Sequence, residues 1–359
     1  MDYPPRRLIG MWRAGLIDRV IQSYSLLLCV TCYACATKCP RGIQLTQMLL
    51  PLVKEKTFEA MPELPAELQK ALTNTLRYGN PLGESPRKRA EWVKEAGVPV
   101  RILPFEPKPV DVLWFVECYT SYHPRGIDNS QAMARIFYRL GVDFGILGPE
   151  EKCAGECARL FGEVGLFDAL EDHNLNTLAR YSFQRLVTSG AHAYDAFKYR
   201  YTCKGFAHPL DHTVTFLAER LGQIKPLLRK QLDYVVTYHD SCCLGRHNGF
   251  YEEPRALLQA IPGVKLVEMV HHRENSLCCG GGGGGMWLDT YYKSKGLERL
   301  SERRVKEAIA TGADVLAVSC PYEVSRFEDA LKVLGYDQKM IVRDVVELLD
   351  ESMGGMESL

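Results

Sequence analysis

Cysteines stand next to one another at two places in the C-terminal part of this 359-residue sequence, and a further cysteine precedes a proline. Adjacent cysteines rarely form a disulfide with each other, and apolar packing gives no reason for pairing two thiols. Thiolates are soft ligands that favour iron–sulfur clusters, zinc or copper(I). A metal site is therefore predicted at Cys242, Cys243, Cys278, Cys279 and Cys320.

A second cysteine run lies near the N-terminus. Its members are Cys29, Cys32, Cys35 and Cys39, spaced C-x2-C-x2-C-x3-C and followed by Pro40. This is the bacterial ferredoxin spacing, in which a tight loop directs three thiolates to one [4Fe–4S] cluster while the fourth cysteine ligates another cluster. The sequence contains one copy of the run. Cys39 therefore either turns back to its own cluster, which we expect, or exchanges ligands with a partner.

Composition excludes several classes of protein. Lysine plus arginine and aspartate plus glutamate both number 44, so no basic field is available for nucleic acid. Apolar runs such as residues 112–116 fall far short of a transmembrane segment, and the N-terminus lacks a signal-peptide apolar region. Thirteen cysteines clustered in ligand-like patterns indicate a reducing compartment. We expect a cytoplasmic protein, with peripheral attachment to a membrane through partners left open.

The elements that must position these thiols fall into three regions. Helical spacing of apolar residues on both sides of the ferredoxin run predicts a small helical domain over residues 1–78. Turn-forming residues then mark 79–109 as a linker. From residue 110, apolar strands alternate with helices, and the same order recurs later in the chain. The expected fold is α/β, with a first module over 110–230 and a second module over 231–359.

The two modules differ in their thiols. Cys118 and Cys153 of the first module correspond in order to Cys242 and Cys278 of the second. At three further positions where the second module carries a candidate ligand, the first has Ala154, Gly190 and Ala193. We expect the first module to hold no cluster. Its thiols could still form a zinc site, and the candidate ligands are Cys118, Cys153, Cys157 and either His123 or His192.

The run of six glycines that follows Cys279 contains a GxGxxG match. It does not stand between a strand and a helix with an acidic residue about twenty positions later, so a dinucleotide site is not expected. Glycines allow unusually close approach of one backbone to another group. We expect the run to pack tightly beside the metal site.

At this point the chain resembles a known family. The repeated pattern, with His239-Asp-x-Cys242, Leu244-Gly-Arg-His247 and Glu253-Pro-Arg255, is similar to the cysteine-rich CCG domain of heterodisulfide reductases and related iron–sulfur oxidoreductases. The N-terminal run, which continues as Cys39-Pro-Arg-Gly42, resembles the ferredoxin-type C subunit of the same enzymes. The resemblance spans nearly the whole chain. It implies a fusion of a C-type segment with a B-type subunit, as in the D-type subunits.

In that family a complete CCG motif holds a noncubane [4Fe–4S] cluster with five thiolates. The resemblance implies that Cys242, Cys278, Cys279 and Cys320 are catalytic and bind this second cluster, but Glu323 stands where the last thiol is expected. Carboxylate is a harder ligand than thiolate. Three alternatives stay open: Glu323 coordinates iron, Cys243 takes the fifth position, or four thiolates suffice. Position in the Cys-Pro-x-x run favours Glu323.

The resemblance implies an iron–sulfur electron-transfer or catalytic subunit of a heterodisulfide reductase-like complex. Electrons would pass from the ferredoxin-type cluster to the CCG cluster for thiol/disulfide chemistry, with a disulfide as substrate. The implied partners are flavin- or iron–sulfur-containing subunits, which could be membrane-linked. The alternative is a non-catalytic relay to a quinone-linked or flavin-containing partner. A polar, substrate-sized cavity at the second site would favour catalysis, and the apolar stripe from Leu8 to Ile21 is the expected docking surface.

Overall fold

The computed structural model describes residues 2–61 and 63–358. Its first part is helical, as the apolar spacing predicts, and the ferredoxin run lies in the loop and short turn between α3 and α5. The helices are α1 (Pro5–Arg13), α2 (Ile17–Ile21), α3 (Tyr24–Leu27), α4 (Ala34–Thr37), α5 (Leu50–Ala60) and α6 (Ala66–Tyr78), with a π-helical turn at Leu45–Leu49.

Two members of the expected docking stripe are buried inside this helical part. Leu8 and Val20 are buried and pack with Leu26, Leu50 and Val53. Leu16, in contrast, is 43% exposed. The prediction that the stripe is free to dock is wrong for its buried members, because α1 and α2 use that face to pack against the rest of their own domain.

The first module is built on a five-stranded parallel sheet with the strand order β1-β3-β2-β4-β5. The strands are β1 (Arg101–Ile102), β2 (Val110–Phe115), β3 (Phe144–Ile146), β4 (Phe183–Thr188) and β5 (Leu210–His212). The helices are α7 (Cys118–Tyr122), α8 (Pro124–Arg139), α9 (Glu156–Phe161), α10 (Val164–Leu178), α11 (Ala191–Tyr199), α12 (Thr213–Glu219) and α13 (Leu221–Ile224).

The second module repeats the plan with a four-stranded parallel sheet in the order β7-β6-β8-β9. The strands are β6 (Val235–Tyr238), β7 (Lys265–Val267), β8 (Val315–Val318) and β9 (Ile341–Asp344). The helices are α14 (Glu252–Ala260), α15 (Asp289–Ser294), α16 (Leu300–Ala310), α17 (Pro321–Val333) and α18 (Val345–Ser352). The predicted α/β fold with a duplicated module is confirmed.

Central strands explain why both sheets form. All four residues of β8 are buried, and β2 buries all but Asp111, as expected of parallel strands covered by helices on both faces. One apolar core contains Trp114 and Phe137 of the first module together with Val236 and Val346 of the second. The modules therefore share a core, which fixes the carboxyl ends of the strands in one sheet relative to those in the other.

The predicted linker 79–109 is more than a connection. It forms a 3₁₀ helix at Pro86–Glu95, and β1 pairs with β3 at the edge of the first sheet. Trp92 is buried edge-to-face against Trp114, at 5.6 Å between ring centroids. The turn-rich composition of its first residues predicts a loop but gives no information about this packing.

Among the described residues, no helix is both long and apolar enough to cross a membrane.

Candidate metal centres

The thiols of the second module meet at the carboxyl ends of neighbouring strands. Cys242 and Cys243 follow β6, while Cys320 follows β8 and directly precedes α17. Cys278 and Cys279 come from the loop after β7. Carboxyl ends of adjacent parallel strands lie at one edge of the sheet, where ligands commonly bind in open α/β folds. All five thiols are buried there as free cysteines.

These thiols are in contact with one another. The Cys242 thiol lies in hydrogen-bonding contact with those of Cys243 and Cys278, and Cys278 contacts Cys279. Contact with Cys278, together with burial, raises the pKa of Cys279 well above its usual range, and burial raises the pKa of Cys320 in the same way. Bound metal stabilises thiolates at such positions, since coordinating thiols lose their protons. The donor set fits an iron–sulfur cluster.

Glu323 and a residue not predicted as a site residue, His239, complete this edge. Ligand atoms of His239, Cys279 and Glu323 all lie within 4.8 Å of one another, and the three residues are buried. Glu323 Oε2 has no hydrogen-bond partner among the described residues. A buried acceptor without a partner costs free energy, so this oxygen fits a metal ligand. His239 directly follows β6, and that position was the signal that could have identified it.

Cys243 faces the first module. Its Sγ lies 3.5 Å from Nδ1 of His192, a residue of α11, and it also contacts the Asp195 carboxylate. The backbone N–H of Ala191, at the start of the same helix, is directed at the Cys320 thiol. The first module thus supplies polar groups to the second module's site.

The ferredoxin run surrounds a cavity of about 300 Å³. Cys29, Cys32 and Cys35 line it, as does Cys278 of the second module. The backbone of the loop is strained, because Thr31 and Tyr33 have positive φ values of 50° and 62°. Such strain persists only where the surrounding structure fixes the conformation. The described lining includes Lys38 but not Cys39.

The two thiol sets adjoin. Cys32 lies in hydrogen-bonding contact with Cys278. Arg246 links the ferredoxin loop to the loop that carries Cys278. Its Nε donates to the Cys32 carbonyl at 2.7 Å and its Nη1 to the Ser276 carbonyl at 2.6 Å. Electron transfer between metal centres held at these positions would need no intervening group.

The glycine run makes this approach possible. A Cβ at Gly282 would lie 2.6 Å from the Val30 carbonyl oxygen, and one at Gly283 would lie 2.8 Å from that of Cys29. Lys54, which is buried, donates to the Cys29 carbonyl at 2.6 Å, and its Nζ would lie 3.1 Å from a Cβ at Gly283. The glycine run thus packs closely against the ferredoxin loop, and its expected place beside the second module's metal site stays a prediction.

The corresponding edge of the first module is filled by its own side chains. Arg89 Nη2 lies 3.3 Å from Cys118 Sγ, and Cys118 contacts Cys153. A Cβ at Gly190, which corresponds to Cys320, would overlap the buried Glu117 carboxylate. No thiol fits at that position while Glu117 occupies it.

The histidines considered for a zinc site lie in different surroundings. His192 contacts Cys243 of the second module. His123 is stacked on Tyr119 at 4.3 Å between ring centroids. The zinc site therefore stays a prediction, and nothing in the described contacts places either imidazole with the Cys118 thiol.

A polar cavity of about 240 Å³ lies where the helical domain and both modules meet. His247 is stacked between Tyr33 and Tyr199, with centroid separations of 4.0 and 4.3 Å. Its Nδ1 lies 2.8 Å from Asp195 Oδ2. The lining consists of Tyr33, Gln47, Glu156, Arg159, Asp195, Tyr199, Arg200 and His247.

Comparison with known proteins identifies a family. The cysteine-rich domain family called CCG matches residues 112–193 and 236–322, one match in each module. The chain is 33% identical to the probable iron-sulfur-binding oxidoreductase FadF of Bacillus subtilis and 32% identical to the EtfAB:quinone oxidoreductase of Syntrophomonas wolfei, covering 99% and 94% of this chain. It spans about half the length of these two relatives, 49% and 48%.

A third relative is covered more fully. The chain is 33% identical to the D-type polypeptide of the dihydromethanophenazine:CoB–CoM heterodisulfide reductase of Methanosarcina mazei, and the match covers 91% of this chain and 77% of that polypeptide. The second of the two CCG matches contains every thiol of the second module's site. The chain therefore belongs to the family of CCG-domain iron–sulfur proteins that includes the D-type polypeptides of heterodisulfide reductases.

Proposed function

We propose that this chain is the iron–sulfur subunit of a heterodisulfide reductase-like complex that passes electrons from a ferredoxin-type site to the second module for thiol/disulfide chemistry. The observation that carries the proposal is the contact of Cys32, in the ferredoxin run, with Cys278, in the second module. Bound [4Fe–4S] clusters would supply one-electron chemistry at both places. The chain itself brings the two thiol sets together.

In this proposal the second cluster is held by Cys242, Cys278, Cys279 and Cys320, with Glu323 as the fifth ligand. The unpartnered Glu323 Oε2 supports that choice. Cys243 already has polar neighbours in the first module, His192 and Asp195. These contacts give Cys243 a role beside the cluster.

Cys29, Cys32 and Cys35 would hold the ferredoxin-type cluster. Cys39, at the end of the run, is half-exposed and lies outside the described cavity lining. A fourth-ligand role for Cys39 requires that its thiol reach this cavity. Otherwise a partner subunit supplies the ligand, as in the exchange between paired ferredoxin runs.

The polar cavity beside Asp195 supports catalysis at this site. Asp195 lines this cavity and contacts both the Cys243 thiol and His247, so a single carboxylate lies between the cavity and a thiol of the second module. Its volume of about 240 Å³ suits a small polar molecule. A relay without catalysis is the second candidate, because one relative is named a quinone oxidoreductase.

The test is anaerobic purification of the chain with its partner subunits, followed by iron and acid-labile sulfide analysis and electron paramagnetic resonance (EPR). We expect two distinct cluster signals, and Cys279→Ser should remove the second while leaving the ferredoxin-type signal. Reduced viologen should then drive disulfide cleavage in the wild type but not in Cys279→Ser. Two clusters without any disulfide reduction would favour the relay, and iron at neither site would overturn the proposal.

A further inference from the structure

A buried arginine controls the imidazole at the second site. Arg304, on α16, has a side chain that is 0% exposed, and its Nε donates to His239 Nδ1 at 3.0 Å. Its Nη1 donates to the His271 carbonyl and to Glu307, both at 2.7 Å. A guanidinium has donors only, so Nδ1 of His239 must present its lone pair. The proton of the neutral imidazole is then on Nε2.

The protonated nitrogen lies beside Glu323, in a group that also contains the Cys279 thiol. His239 Nε2 lies 3.2 Å from Glu323 Oε1, but it is not aligned for a hydrogen bond with it and has no partner among the described residues. The side chain is 1% exposed, and Phe327 holds the ring edge-to-face at 5.0 Å. A buried N–H without a partner is costly unless an acceptor is bound there.

Ligand distance alone would make His239 a metal ligand, since its nitrogen shares the 4.8 Å group with Cys279 and Glu323. Histidine ligands, however, donate from the nitrogen that does not bind the metal, usually to a carboxylate or carbonyl. In His239 that nitrogen meets a donor, Arg304, instead of an acceptor. The pattern is the reverse of that of a ligating histidine.

We propose that Arg304 fixes His239 as a hydrogen-bond donor to the second cluster, so that Glu323 is the non-thiolate ligand and His239 makes the cluster easier to reduce. The inference rests on the proposed function, because it requires a cluster in the second module. Reduction adds negative charge to a cluster, and hydrogen bonds to its sulfurs are among the factors that set its potential. His239 contributes directly and Arg304 is a positioning residue that acts through it.

The test is pulsed EPR of the reduced wild-type complex, made in H2O and in D2O with 15N-labelled histidine. A donor gives a weak nitrogen coupling together with an exchangeable proton coupling at the second cluster. Strong coupling to a histidine nitrogen would show direct ligation and overturn the inference while leaving the proposed function intact. Absence of any second-cluster signal would overturn both.

Variants provide a second measurement. His239→Gln keeps an N–H donor and an oxygen that can accept from Arg304, so it should retain the exchangeable proton coupling and a midpoint potential close to that of the wild type, while the coupling to labelled histidine nitrogen is lost. His239→Met should lose the couplings and lower the midpoint potential of the second cluster only. His208→Met is the control, since His208 is exposed in the first module. Equal potentials for His239→Met and wild type would contradict the proposal.

Discussion

Two side chains compete for the fifth position of the second site, and their surroundings differ. Glu323 is buried beside Cys279 with Oε2 unpartnered, whereas Cys243 Sγ has His192 Nδ1 at 3.5 Å. A carboxylate oxygen that is buried without a partner is stabilised by a cation, and iron would provide that charge. At the scale of single residues, Glu323 is therefore the stronger candidate.

Glu323→Gln should shift or weaken the second cluster signal, because an amide oxygen carries no charge for iron. Glu323→Cys should give the five-thiolate spectrum expected of the family, and Cys243→Ala should leave the signal in place. EPR with iron counted per chain measures all three. Loss of the signal in Cys243→Ala with an unchanged Glu323→Gln would assign the ligand to Cys243 instead.

The glycine run is the element that brings the ferredoxin loop to the second module. Gly283 has φ +54° and stands 2.8 Å, measured from an added Cβ, from the Cys29 carbonyl oxygen. Gly296 also has positive φ, +63°, but has nothing within 4 Å of an added Cβ. Substitutions at these two glycines therefore distinguish the cost of backbone strain, which both share, from the cost of close contact, which only Gly283 has.

Gly283→Ala should destabilise the protein by about 1–3 kcal/mol more than Gly296→Ala, since only the first must push two segments apart. It should also weaken the magnetic interaction between the two reduced clusters. Urea unfolding and EPR line shapes give the two readouts. Equal destabilisation by both substitutions would mean that the glycines serve the turn alone.

At the scale of the whole molecule, a shared core and buried ion pairs hold the modules together. Arg135 Nη2 on α8 pairs with Asp350 Oδ2 on α18 at 2.6 Å, with side chains 10% and 5% exposed. Lys230 pairs with Glu351 at 3.3 Å nearby, but the lysine is 58% exposed. Burial should separate the effects of these two neighbouring pairs.

Arg135→Met should cost about 1–3 kcal/mol of unfolding free energy, because it removes one of two arginines that pair with the buried Asp350, while Arg139 Nη1 still pairs with Asp350 Oδ1 at 2.7 Å. Lys230→Met should cost roughly 0–1 kcal/mol, as for other exposed pairs. Denaturant unfolding of the purified protein compares them. Similar costs would show that the shared apolar core alone fixes the module contact.

The modules should also differ in metal content. Because Glu117 fills the space beside Gly190, we predict no cluster at Cys118 and Cys153. Cys118→Ser should leave the iron content unchanged while Cys279→Ser lowers it. An anomalous iron peak at Cys118 would refute this assignment.

Partner subunits should be needed for full function, because Cys39 lies outside the described lining of the ferredoxin cavity. We expect the chain produced alone to contain less iron than two full clusters require. Iron analysis after anaerobic purification, with and without co-expressed partners, measures this. A stable monomer with both clusters loaded and its own disulfide reductase activity would disprove it.

Local order along the sequence determined the duplicated α/β fold and the grouping of the second module's thiols, because alternating strands and helices place strand ends at one sheet edge. It also determined the difference in thiol content between the modules, since the first module has Gly190 where the second has Cys320. Long-range packing decided the rest. The contact of Cys32 with Cys278, the buried Arg304–His239 pair and the burial of Leu8 depend on residues far apart in sequence, whose apposition no local spacing encodes.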